Sequence, residues 1–208
     1  AVKTRQCHGL EAANEAIQEA LALARVTGPQ NVAIHDVILA KGCDNLFLVH
    51  LVMDYLTGGD LDNYLHEGKA ALSYRESVVW LNQLLSGLDR IHKSKLVHRD
   101  LKPENIFISE SNQLMIGDMG LAKQMTSDSV DGVEGTTIFM APEVLSGEGA
   151  TEKSDVFSLG VVLFEMLVHE SMARARKSLG LIALAEKSNW NPESLFPVDV
   201  KGGECSVL

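Results

Sequence analysis

The apolar positions in the first part of the chain predict one helix followed by two strands. Residues 11–26, EAANEAIQEALALARV, are rich in Ala, Leu and Glu and predict a helix that ends at GPQ, residues 28–30. Two apolar runs follow, VAIHDVIL at 32–39 and LFLVHLVMDYL at 46–56, and both predict strands. The turn-forming residues TGGD at 57–60 then end the apolar pattern.

A second helix is predicted from Ser73, because Ser73 and Glu76 have the spacing of a capping box. Apolar residues recur along it at helical spacing and predict one buried face, formed by Val78, Leu81, Leu84, Leu85, Leu88 and Ile91.

The following part of the chain combines short strands with an apolar helix. Residues 106–108 and 114–117 predict a strand pair around the turn SESNQ. The run VFSLGVVLFEMLV at 156–168 is too short to cross a membrane and predicts a core helix capped by Thr151 or Ser154. Small strands before and helices after predict an α+β protein of two unequal lobes.

Composition narrows the choice of partners and compartment. The chain has 208 residues, is 46% hydrophobic and 22% charged, and carries a net charge of −10, which argues against a nucleic-acid partner. Cys7, Cys43 and Cys205 show neither a disulfide framework nor metal-ligand spacing, so we expect an intracellular, cytoplasmic protein. The closing CSVL fits a prenylation pattern, but no basic stretch precedes it and we expect no membrane attachment.

The octamer HRDLKPEN at 98–105 places several polar and charged residues between two apolar segments. Asp100, Lys102 and Asn105 follow one another closely, and KLV before them and IFI after them read as anchoring strands. A loop held in this way brings its polar groups to one point. A solvated turn with incidental charges is the alternative for the octamer alone.

Four motifs together resemble the eukaryotic protein kinase family. They are HRDLKPEN, DMG at 118–120, APE at 141–143 and SDVFSLG at 154–160, in the order and spacing of that family. Lys102 and the segment GTTIFMAPE are similar to its serine/threonine branch. The resemblance implies an enzyme that transfers the γ-phosphoryl group of ATP, with Mg²⁺, to serine or threonine hydroxyls of protein substrates.

The resemblance also implies an organisation for the chain. Residues 1–56 would form part of a small β-rich N-lobe with one helix, residues 57–168 a larger, mainly helical C-lobe, and residues 169–208 a divergent tail. The family's glycine-rich loop and its final helices are not recognised, so we expect a kinase-like region truncated at both ends. A pseudokinase or a kinase fragment that binds nucleotide or protein is therefore the rival interpretation.

The resemblance assigns the phosphoryl-transfer roles to four residues. Asp100 would orient the attacking hydroxyl and accept its proton, and Lys102 would balance charge on the transferred group. Asn105 and Asp118 would bind Mg²⁺, which prefers hard oxygen ligands. Met119 replaces the family's usual Phe and keeps an apolar side chain next to Asp118.

At the start of the chain, AVK resembles the end of the family's VAIK strand. Lys3 would contact the α- and β-phosphates, and Ala1 would cover one face of adenine. Lys3 then needs a carboxylate partner from the first helix. The segment GPQNVAIHDVI aligns with the family without a gap and selects Glu19, with Glu15 as the alternative.

The segment HLVMDYLTGGDL is similar to the family's hinge. By that similarity Met53 is the gatekeeper, the backbones of Asp54 and Leu56 would bond adenine, Asp60 would reach the ribose, and Phe107 would pack under the base.

Arg99 beside the expected base implies regulation by a phosphate in the loop TSDSVDGVEGTT. We hypothesise that Ser127 or Ser129 carries it, or that Asp131 or Glu134 substitutes for it.

Overall fold

The computed structural model describes residues 1–26, 28–66, 72–118, 122–124 and 138–168. The expectations for Met119, for the loop with Ser127, Ser129, Asp131 and Glu134, and for the tail with CSVL lie outside these residues.

The N-terminal part is a small sheet covered by one helix. Its elements are β1 (Val2–His8), α1 (Leu10–Leu23), β2 (Ile34–Lys41) and β3 (Leu46–Met53). The strands are antiparallel in the order β1-β3-β2, with Lys3 opposite Leu51. Asp44 and Asn45 have positive φ values of 53° and 58°, which such short polar residues tolerate in the tight turn between β2 and β3.

Small side chains bring α1 close to the sheet. One buried cluster joins the helix to strands β1 and β3, and its members are Cys7, Ala13, Ala16, Phe47 and Val49. Alanine on the inner face of α1 leaves room for the bulkier strand residues. The polar Glu15 and Glu19 stay at the border of this contact, which positions them beside the residues of β1.

The remaining elements are mainly helical. They are α2 (Leu61–His66), α3 (Tyr74–Lys93), β4 (Leu96–Val97), a 3₁₀ helix (Pro103–Asn105), β5 (Ile106–Ile108), β6 (Leu114–Ile116), β7 (Lys123–Gln124), α4 (Pro142–Leu145) and α5 (Glu152–Val168). Strand β5 pairs with β6 as predicted, and β4 pairs with β7. A small sheet followed by helices confirms the predicted α+β class.

Helix α3 begins as predicted and buries most of the predicted face, since Leu84, Leu88 and Ile91 are buried, but two predicted positions are wrong. The capping box is formed, since Ser73 Oγ accepts from the Glu76 backbone and the Glu76 side chain accepts from the Ser73 backbone. Val78 and Leu85, predicted to be buried, are 36% and 42% exposed. The buried stripe runs through Ser77, Trp80, Leu84, Leu88 and Ile91. Successive residues lie about 100° apart around a helix, so Val78 and Leu85, which directly follow buried residues, lie at the edge of this stripe.

Helix α5 begins earlier than its apolar run suggested. It starts at Glu152, and Thr151 Oγ1 accepts a 3.2 Å hydrogen bond from the Lys153 backbone, so Thr151 is the cap. Ser154 Oγ instead accepts from the Thr151 backbone at 3.0 Å and donates to Glu143 at 2.7 Å. Within the part of the chain that the structure describes, no helix is long and apolar enough to span a membrane.

Candidate active site

A buried carboxylate on α5 fixes the start of the loop after β4. Asp155 accepts hydrogen bonds from the backbone N–H groups of His98 and Arg99 at 2.8 and 2.9 Å, and its Oδ2 lies 2.8 Å from His92 Nε2. Asp155 is 1% exposed. Arg99 is held at a φ of 70°, a conformation costly for a residue with a side chain, so the surrounding contacts determine it.

Three polar residues of the octamer converge. Lys102 Nζ lies 3.1 Å from Asp100 Oδ2, and Asn105 Nδ2 lies 2.9 Å from the same oxygen. Asn105 Nδ2 also donates to the Asp100 backbone carbonyl at 2.7 Å. The 3₁₀ helix that begins at Pro103 turns the chain so that Asn105 faces back toward Asp100. This arrangement agrees with the predicted convergence and leaves the solvated-turn alternative without support.

The Asn105 backbone connects this loop to the segment that contains Asp118. Gly117 N donates to Asn105 O at 2.9 Å, and the buried His98 ring lies 3.1 Å from Gly117 O. Because the Asn105 amide nitrogen faces Asp100, its side-chain oxygen is the atom that remains for a cation. An amide oxygen and the Asp118 carboxylate form the hard donor set that suits Mg²⁺. The residues present therefore fit Mg²⁺.

The charged residues of β1 and α1 pair differently from the expectation. Lys3 Nζ forms an ion pair with Asp118 Oδ1, and Arg5 Nη1 lies 2.5 Å from Glu19 Oε2. The predicted ion pair between Lys3 and Glu19 is not formed, and neither is the alternative with Glu15. Arg5 lies two residues after Lys3, on the same face of the strand, and so competes for the same carboxylate.

A cleft of about 600 Å³ lies between the sheet, α1 and the Gly117–Asp118 segment. It brings together four of the predicted residues, Lys3, Glu19, Met53 and Asp118, and also Arg5 and the alternative Glu15. Its apolar wall includes Leu23, Val32, Ile34, Val49 and Leu51. Among the described residues, the lining does not include Ala1, Asp54, Leu56, Asp60, Phe107, Asp100 or Asn105.

The hinge residues follow β3 directly. Met53 N donates to Ala1 O at 2.9 Å, which places the first residue of the chain beside the gatekeeper position. Asp54 N donates to Ala33 O at 3.1 Å, and the Asp54 side chain accepts from the Ala33 backbone and contacts His35 Nε2 at 2.6 Å. These bonds fix the backbone at Asp54, while Leu56 lies two residues further on and is half-buried.

Asp60 and Phe107 form an isolated antiparallel β-bridge, but both carboxylate oxygens of Asp60 already accept hydrogen bonds from another residue. Asp60 Oδ1 accepts from Asn63 N and Oδ2 from Asn63 Nδ2, both at 2.8 Å, so Asp60 is placed to cap α2. Phe107 packs against Gly117, where an added Cβ would come within 2.7 Å of the Phe107 ring and 2.9 Å of Val32. Only glycine fits at 117 without displacing them.

Two functional positions were missed by the sequence reasoning. Asp155 lies inside the quoted motif SDVFSLG, and a carboxylate directly before the apolar run at 156–168 was the signal available. Arg5 carried no signal, because its importance comes from the distance to Glu19, which only the packing of α1 on β1 defines.

Comparisons of the sequence with known proteins identify the family of this chain. The sequence model of the family described as protein kinase domain matches residues 1–193. The chain therefore belongs to the protein kinase family, and its relatives place it in the serine/threonine branch.

Individual relatives carry serine/threonine kinase names. The chain is 36% identical over 173 residues to serine/threonine-protein kinase Nek3 of Oryza sativa subsp. japonica, covering 82% of this chain and 29% of that protein. It is 36% identical over 149 residues to Nek9 of Xenopus laevis, covering 70% of this chain and 16% of the relative. It is 31% identical over 153 residues to the probable serine/threonine-protein kinase PknB of Lactococcus lactis subsp. lactis (strain IL1403), covering 72% of this chain and 23% of that protein. The chain thus spans less than a third of each of these three relatives.

Proposed function

We propose that this chain is the catalytic region of a serine/threonine kinase that transfers the γ-phosphoryl group of ATP to protein hydroxyls. The observation that carries the proposal is the convergence of Lys102 Nζ and Asn105 Nδ2 on Asp100 Oδ2, at 3.1 and 2.9 Å. Phosphoryl transfer depends mainly on positioning and charge stabilisation, and this loop provides a base, a cation and an amide within one short segment.

Asp100 is the group that we assign to the substrate hydroxyl. Its Oδ2 is held by Asn105 and Lys102, so the carboxylate is oriented before the substrate arrives. Its other oxygen, Oδ1, would accept the proton from the serine or threonine hydroxyl. Lys102 would then neutralise part of the charge on the transferred phosphoryl group.

Asn105 and Asp118 would hold Mg²⁺, which when bound neutralises phosphate charge. In the structure Lys3 neutralises Asp118. In the nucleotide complex Lys3 would contact the α- and β-phosphates instead, and Glu19 would orient Lys3. Both changes require that the ion pairs of Lys3 with Asp118 and of Arg5 with Glu19 separate.

The adenine and ribose would occupy the hinge. The Asp54 and Leu56 backbones would bond adenine, Ala1 and Phe107 would cover its two faces, and Met53 would limit the depth of the pocket. Asp60 would reach the ribose while it caps α2. Three observations support these assignments: Asp54 and Leu56 follow β3, Ala1 is hydrogen-bonded to Met53, and Phe107 packs against Gly117.

The remaining assignments concern organisation and setting. We assign residues 1–56 to a partial N-lobe, residues 57–168 to the C-lobe and residues 169–208 to a divergent tail. The partners would be ATP and protein substrates with serine or threonine, without nucleic acid or membrane attachment. The unpaired Cys7 and Cys43 support an intracellular, cytoplasmic setting.

The test is transfer of labelled phosphate from ATP to two peptide libraries, one with Ser and Thr and one with Tyr as the only hydroxyl residue. We expect Mg²⁺-dependent labelling of the Ser/Thr library by the chain and none by its Asp100→Asn variant. Labelling of the Tyr library alone, or equal labelling by the variant, would contradict the proposal.

The second candidate is a pseudokinase or kinase fragment that binds nucleotide or protein without transfer. The ion pairs of Lys3 with Asp118 and of Arg5 with Glu19 favour it, because they occupy the charges that the nucleotide complex needs. Binding of Mg²⁺–ATP without transfer to either library would identify this function.

A further inference from the structure

His35 occupies a β-bulge at the start of β2. In the pairing of β2 with β3, Ile34 lies opposite Met53. The next paired residue of β2 is Asp36, which lies opposite Val52, so that His35 is an extra residue between two paired positions. Bulges are common next to active sites, where they give a side chain a direction that the alternation of the strand would not allow. The direction of the His35 side chain is therefore set by the bulge.

The His35 side chain contacts the first residue after β3. His35 Nε2 lies 2.6 Å from Asp54 Oδ1. Two backbone groups of Ala33 also bond to Asp54: the Ala33 N–H donates to Asp54 Oδ2 at 3.1 Å, and the Ala33 carbonyl accepts from the Asp54 N–H at 3.1 Å. We call Ala33, His35 and Asp54 the Asp54 clasp. Its contacts hold both the carboxylate and the backbone of Asp54 against residues 33–35.

The clasp determines which backbone atom of Asp54 is available to a ligand. The N–H is used by Ala33, whereas the Asp54 carbonyl oxygen accepts no hydrogen bond from the described residues. A carbonyl oxygen accepts a hydrogen bond from the 6-amino group of adenine and repels the O6 acceptor of guanine. Rotation of the peptide between Asp54 and Tyr55 would present the Tyr55 N–H instead, and this donor suits guanine. A carbonyl that is held in place therefore selects adenine.

We propose that His35 is a positioning residue that, through Asp54, directs the hinge carbonyl toward adenine and so selects ATP over GTP. The inference rests on the proposed function, because it takes the hinge as the adenine site. The His35 and Asp54 side chains are 55% and 31% exposed, so the contact is screened by solvent and its contribution is modest. A pair of this kind corresponds to a change in affinity of up to about fivefold.

The test compares two substitutions of His35 that differ in reach. The side-chain nitrogen of His35→Gln lies about as far from the backbone as the imidazole Nε2 and still donates to Asp54, whereas the amide of His35→Asn is one carbon shorter. Calorimetry measures the affinity of the full chain for Mg²⁺–ATP and for Mg²⁺–GTP. His8→Asn, at an exposed position that ends β1, is the control.

We expect His35→Asn to bind Mg²⁺–ATP about two- to fivefold less tightly than the wild type and to lose part of its preference over Mg²⁺–GTP. His35→Gln and His8→Asn should match the wild type for both nucleotides. Equal ATP affinities in the two His35 variants would overturn the proposal. So would a loss in His35→Asn of the same size for ATP and GTP, because the substitution would then weaken the site without changing its selectivity.

A second measurement does not depend on nucleotide binding. Amide hydrogen exchange in the free protein reports how firmly Ala33 holds the Asp54 N–H. Exchange at Asp54 should be faster in His35→Asn than in His35→Gln by about two- to fivefold, and it should be the same in both at Val49, which is buried in β3. A wild type that binds neither nucleotide would contradict the proposed function, and the selection of ATP with it. Equal exchange at Asp54 in the two variants would overturn the role of His35 alone.

Discussion

Arg5 Nη1 lies 2.5 Å from Glu19 Oε2, and this ion pair takes the carboxylate that the sequence assigned to Lys3. Lys3 turns to Asp118 instead. The side chains are exposed by between 40% and 54% in all four residues, so both pairs are solvent-accessible and weak. The charged side chains of the cleft therefore neutralise one another in this structure. Rearranging the two ion pairs should cost little free energy.

Removal of Arg5 should favour the arrangement that binds nucleotide. In Arg5→Gln, Glu19 loses its partner and becomes available to Lys3, so the affinity for Mg²⁺–ATP should rise. An exposed pair is worth up to about 1 kcal/mol, which corresponds to an increase of up to about fivefold. Lys41→Gln, at the exposed end of β2, removes the same charge and is the control. If Arg5→Gln bound Mg²⁺–ATP less tightly than the wild type, or as tightly as Lys41→Gln, then Arg5 would not compete with Lys3 for Glu19.

Asp155 should matter for stability as well as for transfer. In Asp155→Asn one carboxylate oxygen becomes an NH₂ group that faces backbone N–H donors or His92. Loss of one charged hydrogen bond in a buried position should lower the free energy of unfolding by about 2–3 kcal/mol. Urea unfolding measures this loss. Asp89→Asn, where the carboxylate is 57% exposed and pairs with Lys93, should change it by less than about 0.5 kcal/mol. Similar losses in the two variants would contradict the anchoring role.

Gly117→Ala should strain the contact that supports the hinge side of the site. The added Cβ would lie 2.7 Å from the Phe107 ring, so overpacking should cost about 1–3 kcal/mol. Phe107→Leu in the same chain should restore part of this loss. Gly160→Ala is the matched control, because its Cβ meets nothing within 4 Å and lies in helix α5, where alanine is favoured. Thermal unfolding of the four proteins is the measurement, and a Gly117→Ala variant as stable as the wild type would refute the contact.

The capping box of α3 should give a pH-dependent contribution to stability. The hydrogen bond from the Ser73 side chain, with that from its backbone, lowers the pKa of Glu76 below its usual value of 4.5. Because the folded pKa is lowered, the contribution is present above the unfolded pKa and is lost as the pH falls through the folded pKa. Ser73→Ala should therefore lower the Tm by about 2–4 °C at pH 7 and by less in acid.

Ser86→Ala, an exposed position in the middle of α3, is the control for this prediction. It should leave the Tm nearly unchanged at both pH values. A Tm loss in Ser73→Ala that is the same at pH 7 and at a pH low enough to protonate Glu76 in the folded protein would show that the Glu76 carboxylate does not take part.

The sequence predicted contacts between residues that are near one another in the chain better than contacts between different elements. The convergence of Asp100, Lys102 and Asn105 was predictable because they share one loop, and the Ser73–Glu76 box because it lies within one helix turn. The partner of Lys3 was not, because two cations two residues apart on β1 compete for carboxylates on other elements. The sequence did not distinguish buried from exposed positions of α3 at Val78 and Leu85, because apolar residues beside the buried stripe follow the same periodicity.

We expect Asp100 to act in the transfer step and not in nucleotide binding. The most direct test is to measure Mg²⁺–ATP affinity and the rate of phosphate transfer in one set of proteins: wild type, Asp100→Asn and the surface control Asp89→Asn. A base of this kind contributes about 10²–10⁴-fold. We predict a loss of that size in the transfer rate of Asp100→Asn, with its ATP affinity within about threefold of the wild type. Equal transfer rates in Asp100→Asn and the wild type would show that Asp100 is not the base of the transfer step.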